Sequence, residues 1–235
     1  MTELEPDGSH QRSGGPFADK RLIIFDCDGV LVDSEMIATA VLVDHLHDLG
    51  VPATIPEIAA RVIGRSAPTV QAVLMRSYGV RIDAMAEKRL QERLFARFRE
   101  ELKPVEGIRQ LLDRLTVPYC LASSSSPKRI QVTLAAAGLA DRFSGRIFSA
   151  SMVARGKPAP DLFLHVARTM GVEPRDCLVI EDSPAGIEAA KQAGIAVIGF
   201  VGGSHAQGEA FRADLTGLEP DAICTTAEEV LALIA

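Results

Sequence analysis

The stretch Leu22-Ile23-Ile24-Phe25-Asp26-Cys27-Asp28-Gly29-Val30-Leu31-Val32-Asp33-Ser34 decides how the rest of the chain is read. Its apolar run is too short for a helix and drops into two carboxylates one residue apart, then a glycine. That pattern predicts a buried parallel strand whose carboxyl end opens into a loop. On a continuing strand Asp26 and Asp28 share one face with Cys27 opposite. Gly29 lets the backbone turn sharply, so both acids can converge on one small volume. Carboxylates this close repel unless a cation or a proton separates them, which points to a metal-assisted nucleophile paired with an acid/base. The competing reading of Asp-x-Asp-Gly is a polar turn or a calcium loop. A calcium loop needs further oxygens at alternate positions and a late glutamate, and Val30, Leu31 and Val32 do not supply them.

After Ser34 the pattern turns helical. Ala38, Leu42, Leu46 and Leu49 recur at helical spacing until Gly50 and Pro52 stop the run. Pro56 marks the start of a helix to Gly64, and Ser66 reads as the N-cap of one ending at Tyr78-Gly79. Asp83 opens the longest helix, with Ala86, Leu90, Leu94 and Phe98 on one stripe, and Pro104 closes it. From there strands and helices alternate. The strands are Tyr119 to Ala122, Arg146 to Ser149, Cys177 to Ile180, Ile195 to Phe200 and Ala222 to Cys224. The helices between them include one capped by Asp161 and one started by Pro184. Such alternation predicts an α/β fold, a Rossmann-like parallel sheet covered on both faces. The expected layout is a flexible tail over 1–20, a core built from 21–34 and 104–235, and an inserted helical domain over 35–103.

Composition narrows the function. With 47% hydrophobic and 24% charged residues the chain is an ordinary globular one. A net charge of -6 argues against a nucleic-acid binder working through a basic surface. No apolar run approaches the roughly 20 residues that span a bilayer, and residues 1–20 lack a signal-peptide pattern. The four cysteines, unpaired in spacing and set in apolar runs, read as buried reduced thiols of a cytoplasmic protein.

Ligands of an open parallel sheet gather outside the carboxyl ends of its strands. Three strand ends here are unusually polar: Asp26/Asp28, Ser123-Ser124-Ser125-Ser126, and Glu181/Asp182. The serines, ahead of Pro127 at a helix start, suit a phosphate dianion, though a serine run is also an ordinary solvated loop or N-cap. Lys157, in Gly156-Lys157-Pro158-Ala159-Pro160, is either a solvated charge or an ammonium aimed by the stiff loop around it. Glu181 and Asp182 offer the hard oxygens that magnesium prefers. Glu188 reads as an exposed helix residue.

Taken in order, these four motifs resemble those of the haloacid dehalogenase-like hydrolases. The insertion after the first motif resembles that of the sugar-phosphate phosphatases and β-phosphoglucomutases within that family. The resemblance implies Asp26 as phosphoryl-accepting nucleophile, Asp28 as acid/base, and Ser123 and Lys157 as phosphate ligands. It implies Ser124 and Ser125 beside the substrate, and magnesium held by Asp26, the Asp28 carbonyl and Asp182 with help from Glu181. The expected reaction is hydrolysis of a small phosphorylated metabolite, a sugar or sugar-acid phosphate. Cap loops choose the substrate in this family, and Gly64-Arg65-Ser66 is the candidate, a plain helix-helix turn being the alternative. His205 faces either the site or water. A mutase is the alternative activity, but the gating histidine of the β-phosphoglucomutases falls on Ala38 and their phosphate-gripping arginine on Ala67. His45 and His47 lie too far along the helix to replace the first, whereas Arg65 is near enough to replace the second.

Overall fold

The computed structural model describes residues 15–65 and 67–235. Six parallel strands form one sheet: β1 (Leu22–Phe25), β2 (Tyr119–Ser123), β3 (Ile147–Ser149), β4 (Cys177–Glu181), β5 (Ala196–Phe200) and β6 (Ala222–Cys224). Their order is β3-β2-β1-β4-β5-β6. The first strand therefore lies inside the sheet, with Ile24 opposite Cys120 on one side and Val179 on the other. All four of its residues are fully buried, as an uninterrupted apolar strand between two covered faces must be. Ile23 and Phe25 join one hydrophobic cluster with Ile108, Leu111 and Leu112. Leu22 and Ile24 join the cluster on the other face with Leu162, Phe163 and Ile187. Each such side chain contributes about 1.5–3 kcal/mol of burial, so the register that aims Asp26 out of the strand end is strongly fixed.

Between β1 and β2 the chain makes four long helices, α1 (Glu35–Asp48), α2 (Ile55–Val62), α3 (Ala67–Tyr78) and α4 (Ala84–Glu101), then α5 (Ile108–Arg114). Leu42, Leu46, Ile58 and Leu74 give the four-helix insertion a small core of its own. The insertion is not a detached body, however. Val41 of α1 and Leu94, Phe95 and Phe98 of α4 belong to the main cluster, with Ile130 and Leu134 of α6 (Pro127–Ala136). Its two connecting segments run side by side. Val32 pairs with Pro104, the Asp33 amide donates to Lys103 O at 3.0 Å, and the Val105 amide to Leu31 O at 3.1 Å.

The remaining helices are α7 (Asp161–Met170), α8 (Pro184–Gln192), α9 (Glu209–Thr216) and α10 (Ala227–Ile234). Helix α9 and the 3₁₀ turn Ser204–Gln207 ahead of it were not expected from the sequence. Three other expectations are corrected or fall outside the described residues. The tail predicted over 1–20 is anchored from Gly15 onward, whose amide donates to Ala235 O; Phe17 donates to Leu233 O and buries its ring in the main core. Residues 1–14, and Ser66 as an N-cap, lie outside the described residues. Asp161 does not cap α7: Pro160 holds that position, and the Asp161 carboxylate receives the Arg155 guanidinium at 2.7 Å. The four cysteines are free and buried, as expected. Among the described residues no helix is long and apolar enough to cross a membrane.

Candidate active site

Strand β1 ends at Phe25, and the Asp26 amide extends its ladder by one bond to Ile180 O at 3.0 Å. Asp26 thus leaves the sheet in strand geometry. Three residues on, Gly29 takes φ +82°, and a Cβ there would stand 1.9 Å from Asp182 Oδ2. Both the left-handed backbone and the lack of a side chain are required, and only glycine meets both.

Lys157 reaches this point from the loop ahead of α7. Its ammonium donates to Asp26 Oδ1 at 2.6 Å, Glu181 Oε1 at 2.6 Å and Ala122 O at 2.9 Å. An ammonium has three N–H groups, so all are used. The lysine is nearly fully buried, against the Phe163 ring. Burial alone would lower its pKa, but Asp26 and Glu181 raise it, so it stays charged. The expectation of an aimed rather than solvated lysine holds, though here it is aimed at carboxylates.

Glu181, expected to assist a metal, has both oxygens engaged. Oε1 takes Lys157, and Oε2 accepts the Ser183 amide and hydroxyl, each at 2.9 Å. It therefore braces Lys157 and starts α8. Gly186 makes room for it, since a Cβ there would overlap the Glu181 carboxylate at 1.8 Å.

The Asp28 carboxylate is held from three other segments. Oδ1 accepts Ser34 Oγ at 2.6 Å and Arg129 Nη2 at 3.0 Å, and Oδ2 accepts Ser125 Oγ at 2.8 Å. Burial pushes its pKa up, but the Arg129 charge and these hydrogen bonds win and hold it below the usual carboxylate range. Ser125, expected at the substrate, is thus committed to Asp28. Ser123 is buried and accepts the Ser125 amide at 3.0 Å, leaving its own proton to donate. Ser126 caps α6 by accepting the Arg129 amide, and Ser124 is exposed.

Asp26 is the reverse case. Burial raises its pKa most, Glu181 and Asp182 raise it further, and Lys157 only partly offsets them. Asp182 is raised by burial and Glu181 against the pull of His205 and Lys157. Cys27, between the two acids, is pushed well up by burial and both carboxylates, so it is no nucleophile. Buried carboxylates in excess of buried cations form a donor set that a divalent cation relieves. Asp26 and Asp182, with the Asp28 main-chain carbonyl, are the groups that would hold one. Among the described residues no three acidic, cysteine or histidine side chains make a complete metal cage. Water and substrate oxygens would complete the shell, as is usual for a small hard cation.

His205, left open by the sequence, is buried in the site. Its Nε2 lies 2.9 Å from Asp182 Oδ2, off the line of a well-formed hydrogen bond, and its ring meets Phe211 of α9 edge-on. Burial disfavours its charge, yet Asp182, Glu35 and Asp33 raise its pKa. Glu35, the first residue of α1, is pushed up to about 7 by burial and by the charges of Asp28 and Asp182. At the tip of the insertion, a Cβ on Gly64 would lie 3.5 Å from Pro184 and 3.7 Å from Phe211, so this loop does reach the core beside the site. Arg65 next to it is exposed.

Sequence reasoning gives no site role to Arg129, Glu35 or Phe211. Glu35 directly follows the first motif, and Phe211 and Leu215 are four residues apart, so both had a signal. Arg129 had none, because a basic residue in the first turn of a helix usually faces solvent.

Asp26 beyond β1, Ser123 at the end of β2 and Asp182 beyond β4 thus meet at the carboxyl ends of three adjacent parallel strands, with Lys157 buried among them. The family model for haloacid dehalogenase-like hydrolases matches residues 20–194, and this chain belongs to that family. It is 29% identical over 184 residues to the 6-phosphogluconate phosphatase of Escherichia coli strain K12, covering 78% of this chain and 83% of that one. It is 31% identical over 216 residues to the phosphorylated carbohydrates phosphatase of Thermotoga maritima, covering 89% and 99%. A conserved haloacid dehalogenase-like protein of unknown function from Agrobacterium tumefaciens superposes with a TM-score of 0.82 at 35% identity, covering 92% and 97%.

Proposed function

We propose that this protein is a magnesium-dependent phosphatase that hydrolyses a small phosphorylated sugar or sugar acid through an aspartyl-phosphate on Asp26. The observation that best supports this is the pairing of Asp26, braced by Lys157 at 2.6 Å, with Asp28, held separately by Ser34, Ser125 and Arg129. A binding protein has no need to hold two neighbouring acids in opposite electrostatic settings.

In the first step an Asp26 oxygen attacks phosphorus, the bond from phosphorus to the ester oxygen breaks, and Asp28 gives that oxygen a proton. In the second, Asp28 takes a proton from water as the water oxygen attacks phosphorus. The bond from phosphorus to Asp26 then breaks and inorganic phosphate leaves. Asp28 is held ionised here, the form needed for the second step; its proton for the first enters with the substrate monoanion, populated near a phosphate pKa of about 6. Ser123 donates its hydroxyl to a phosphate oxygen, and Lys157 keeps Asp26 aligned and offsets its charge. When bound by Asp26, Asp182 and the Asp28 carbonyl, magnesium supplies the positive charge that a loose phosphoryl-transfer transition state requires. The insertion acts as a cap over the site, with Gly64 and Arg65 at its substrate-facing tip. Ala38 on α1 has no proton to relay, so water rather than a second sugar is the acceptor.

The test is phosphate release from a panel of sugar and sugar-acid phosphates, with and without chelator, products being identified by phosphorus NMR. Release is expected to stop with chelator and return with magnesium but poorly with calcium, whose longer bonds and higher coordination displace Asp26. Full activity in chelator, or an isomerised sugar phosphate as main product, would overturn the reading.

A further inference from the structure

We propose that Arg129 is a positioning residue for proton transfer, its guanidinium fixing the Asp28 carboxylate and linking that orientation to Phe98 of the helical insertion. The proposal rests on the reading of Asp28 as acid/base.

Three groups hold Asp28, but they differ in kind. Ser34 and Ser125 offer hydroxyl rotors that can turn to other acceptors. The guanidinium is planar, permanently charged and strongly directional. Its Nη2 donates to Asp28 Oδ1 at 3.0 Å, and the Arg129 side chain is only 26% exposed. The guanidinium carbon also sits 5.7 Å from the centre of the Phe98 ring, and Phe98 is fully buried on α4. One cation therefore spans the acid/base and the insertion.

A neighbour on the same helix is the control. Lys128 places its ammonium 5.8 Å over Phe95, the matching residue of α4. Two successive cations of α6 thus cover two phenylalanines of α4, which would suffice to dock the helices. Only Arg129 goes on to meet a carboxylate of the site. Its Nε is buried and unpaired among the described protein groups.

General-acid help matters for a poor leaving group and hardly at all for one that departs as a stable anion. A sugar phosphate releases an alkoxide that needs a proton; p-nitrophenyl phosphate does not. Arg129→Met is expected to lower the rate of aspartyl-phosphate formation from the sugar phosphate, read by rapid quench, by about 10–100-fold, a fraction of what general-acid catalysis supplies, with KM within about twofold. With p-nitrophenyl phosphate that first-step rate should fall by under about threefold, the same selective pattern as Asp28→Asn, the later water step being common to both esters. Combined with Asp28→Asn, Arg129→Met should add little, since residues acting through one group are non-additive. Phe98→Leu should move the same ratio in the same direction by less. Equal losses on both esters, or a loss that adds in full to Asp28→Asn, would reduce Arg129 to a structural brace. Should Arg129→Met fail to fold, Arg129→Lys, which keeps the charge but lacks the planar fork, carries the same comparison with the same two outcomes. No phosphate from either ester with the wild-type enzyme would overturn the acid/base reading itself, and the role of Arg129 with it.

Discussion

The surroundings of Asp26 belong to the sheet, whereas those of Asp28 belong to the helices. Asp26 leaves β1 in strand geometry and is met by Lys157, which is itself tied to β2 through Ala122 O and to β4 through Glu181. Asp28 is met by the residue before α1, by the loop ahead of α6, and by Arg129 within α6. The first setting cannot shift without breaking a parallel ladder. The second is made of segments that also touch the helical insertion. Electrostatics divide along the same line: burial and acidic neighbours push Asp26 up, while Arg129 and two hydroxyls pull Asp28 down despite its burial. Two acids of identical chemistry, two residues apart, are thereby placed in opposite electrostatic settings by what packs around them.

The most damaging way to probe this contrast is at Asp26, the proposed nucleophile. Asp26→Asn should fold as the wild type does and lose turnover by on the order of 10⁵–10⁶, the scale of deleting a covalent nucleophile. Steady-state phosphate release checks it, and near wild-type turnover would remove the covalent step. Asp28→Asn should cost less, about 10²–10⁴ on a sugar phosphate. Rapid-quench kinetics should still show phosphate bound to Asp26 when a good leaving group is used. A loss as deep as that of Asp26→Asn on every ester would erase the distinction between the two acids.

The smallest effect is one of stability. Glu35 shares the field of Asp28 and Asp182, and its pKa rises to about 7. Its carboxylate is therefore disfavoured in the folded state. The penalty is absent below the unfolded pKa of about 4.3, builds as pH rises through that value, and is complete above about 7. Glu35→Gln should then be neutral near pH 4 and gain on the order of 1–3 kcal/mol at pH 8 without added magnesium. Urea denaturation at the two pH values measures this, and an equal effect at both would show that Glu35 does not feel the site's charge.

Much of this was legible in the sequence because its signals are local. A four-residue apolar run ahead of Asp-x-Asp-Gly favours a strand end over a polar turn or calcium loop, and the polar ends of β2 and β4 follow the same logic. The helical insertion showed through its stripes and stops. What escaped depends on long-range placement. Nothing near Arg129 in the chain reveals that it faces Asp28, 101 positions away. The serine run looked like one phosphate cradle, but the fold gives its members separate tasks: Ser125 at Asp28, Ser126 at the helix start, Ser123 under Ser125. Phe17 falls within the expected tail because its partners lie at the far end of the chain, in α10.

The seclusion of Lys157 makes it a gauge of the fold. With 2% of its side chain exposed and its nitrogen bonded to groups on three adjacent strand ends, it is shielded from amine-acylating reagents while those ends stay in register. Its labelling rate, read by mass spectrometry against that of a surface lysine such as Lys88, with 71% of its side chain exposed, therefore reports how often the catalytic edge of the sheet comes apart.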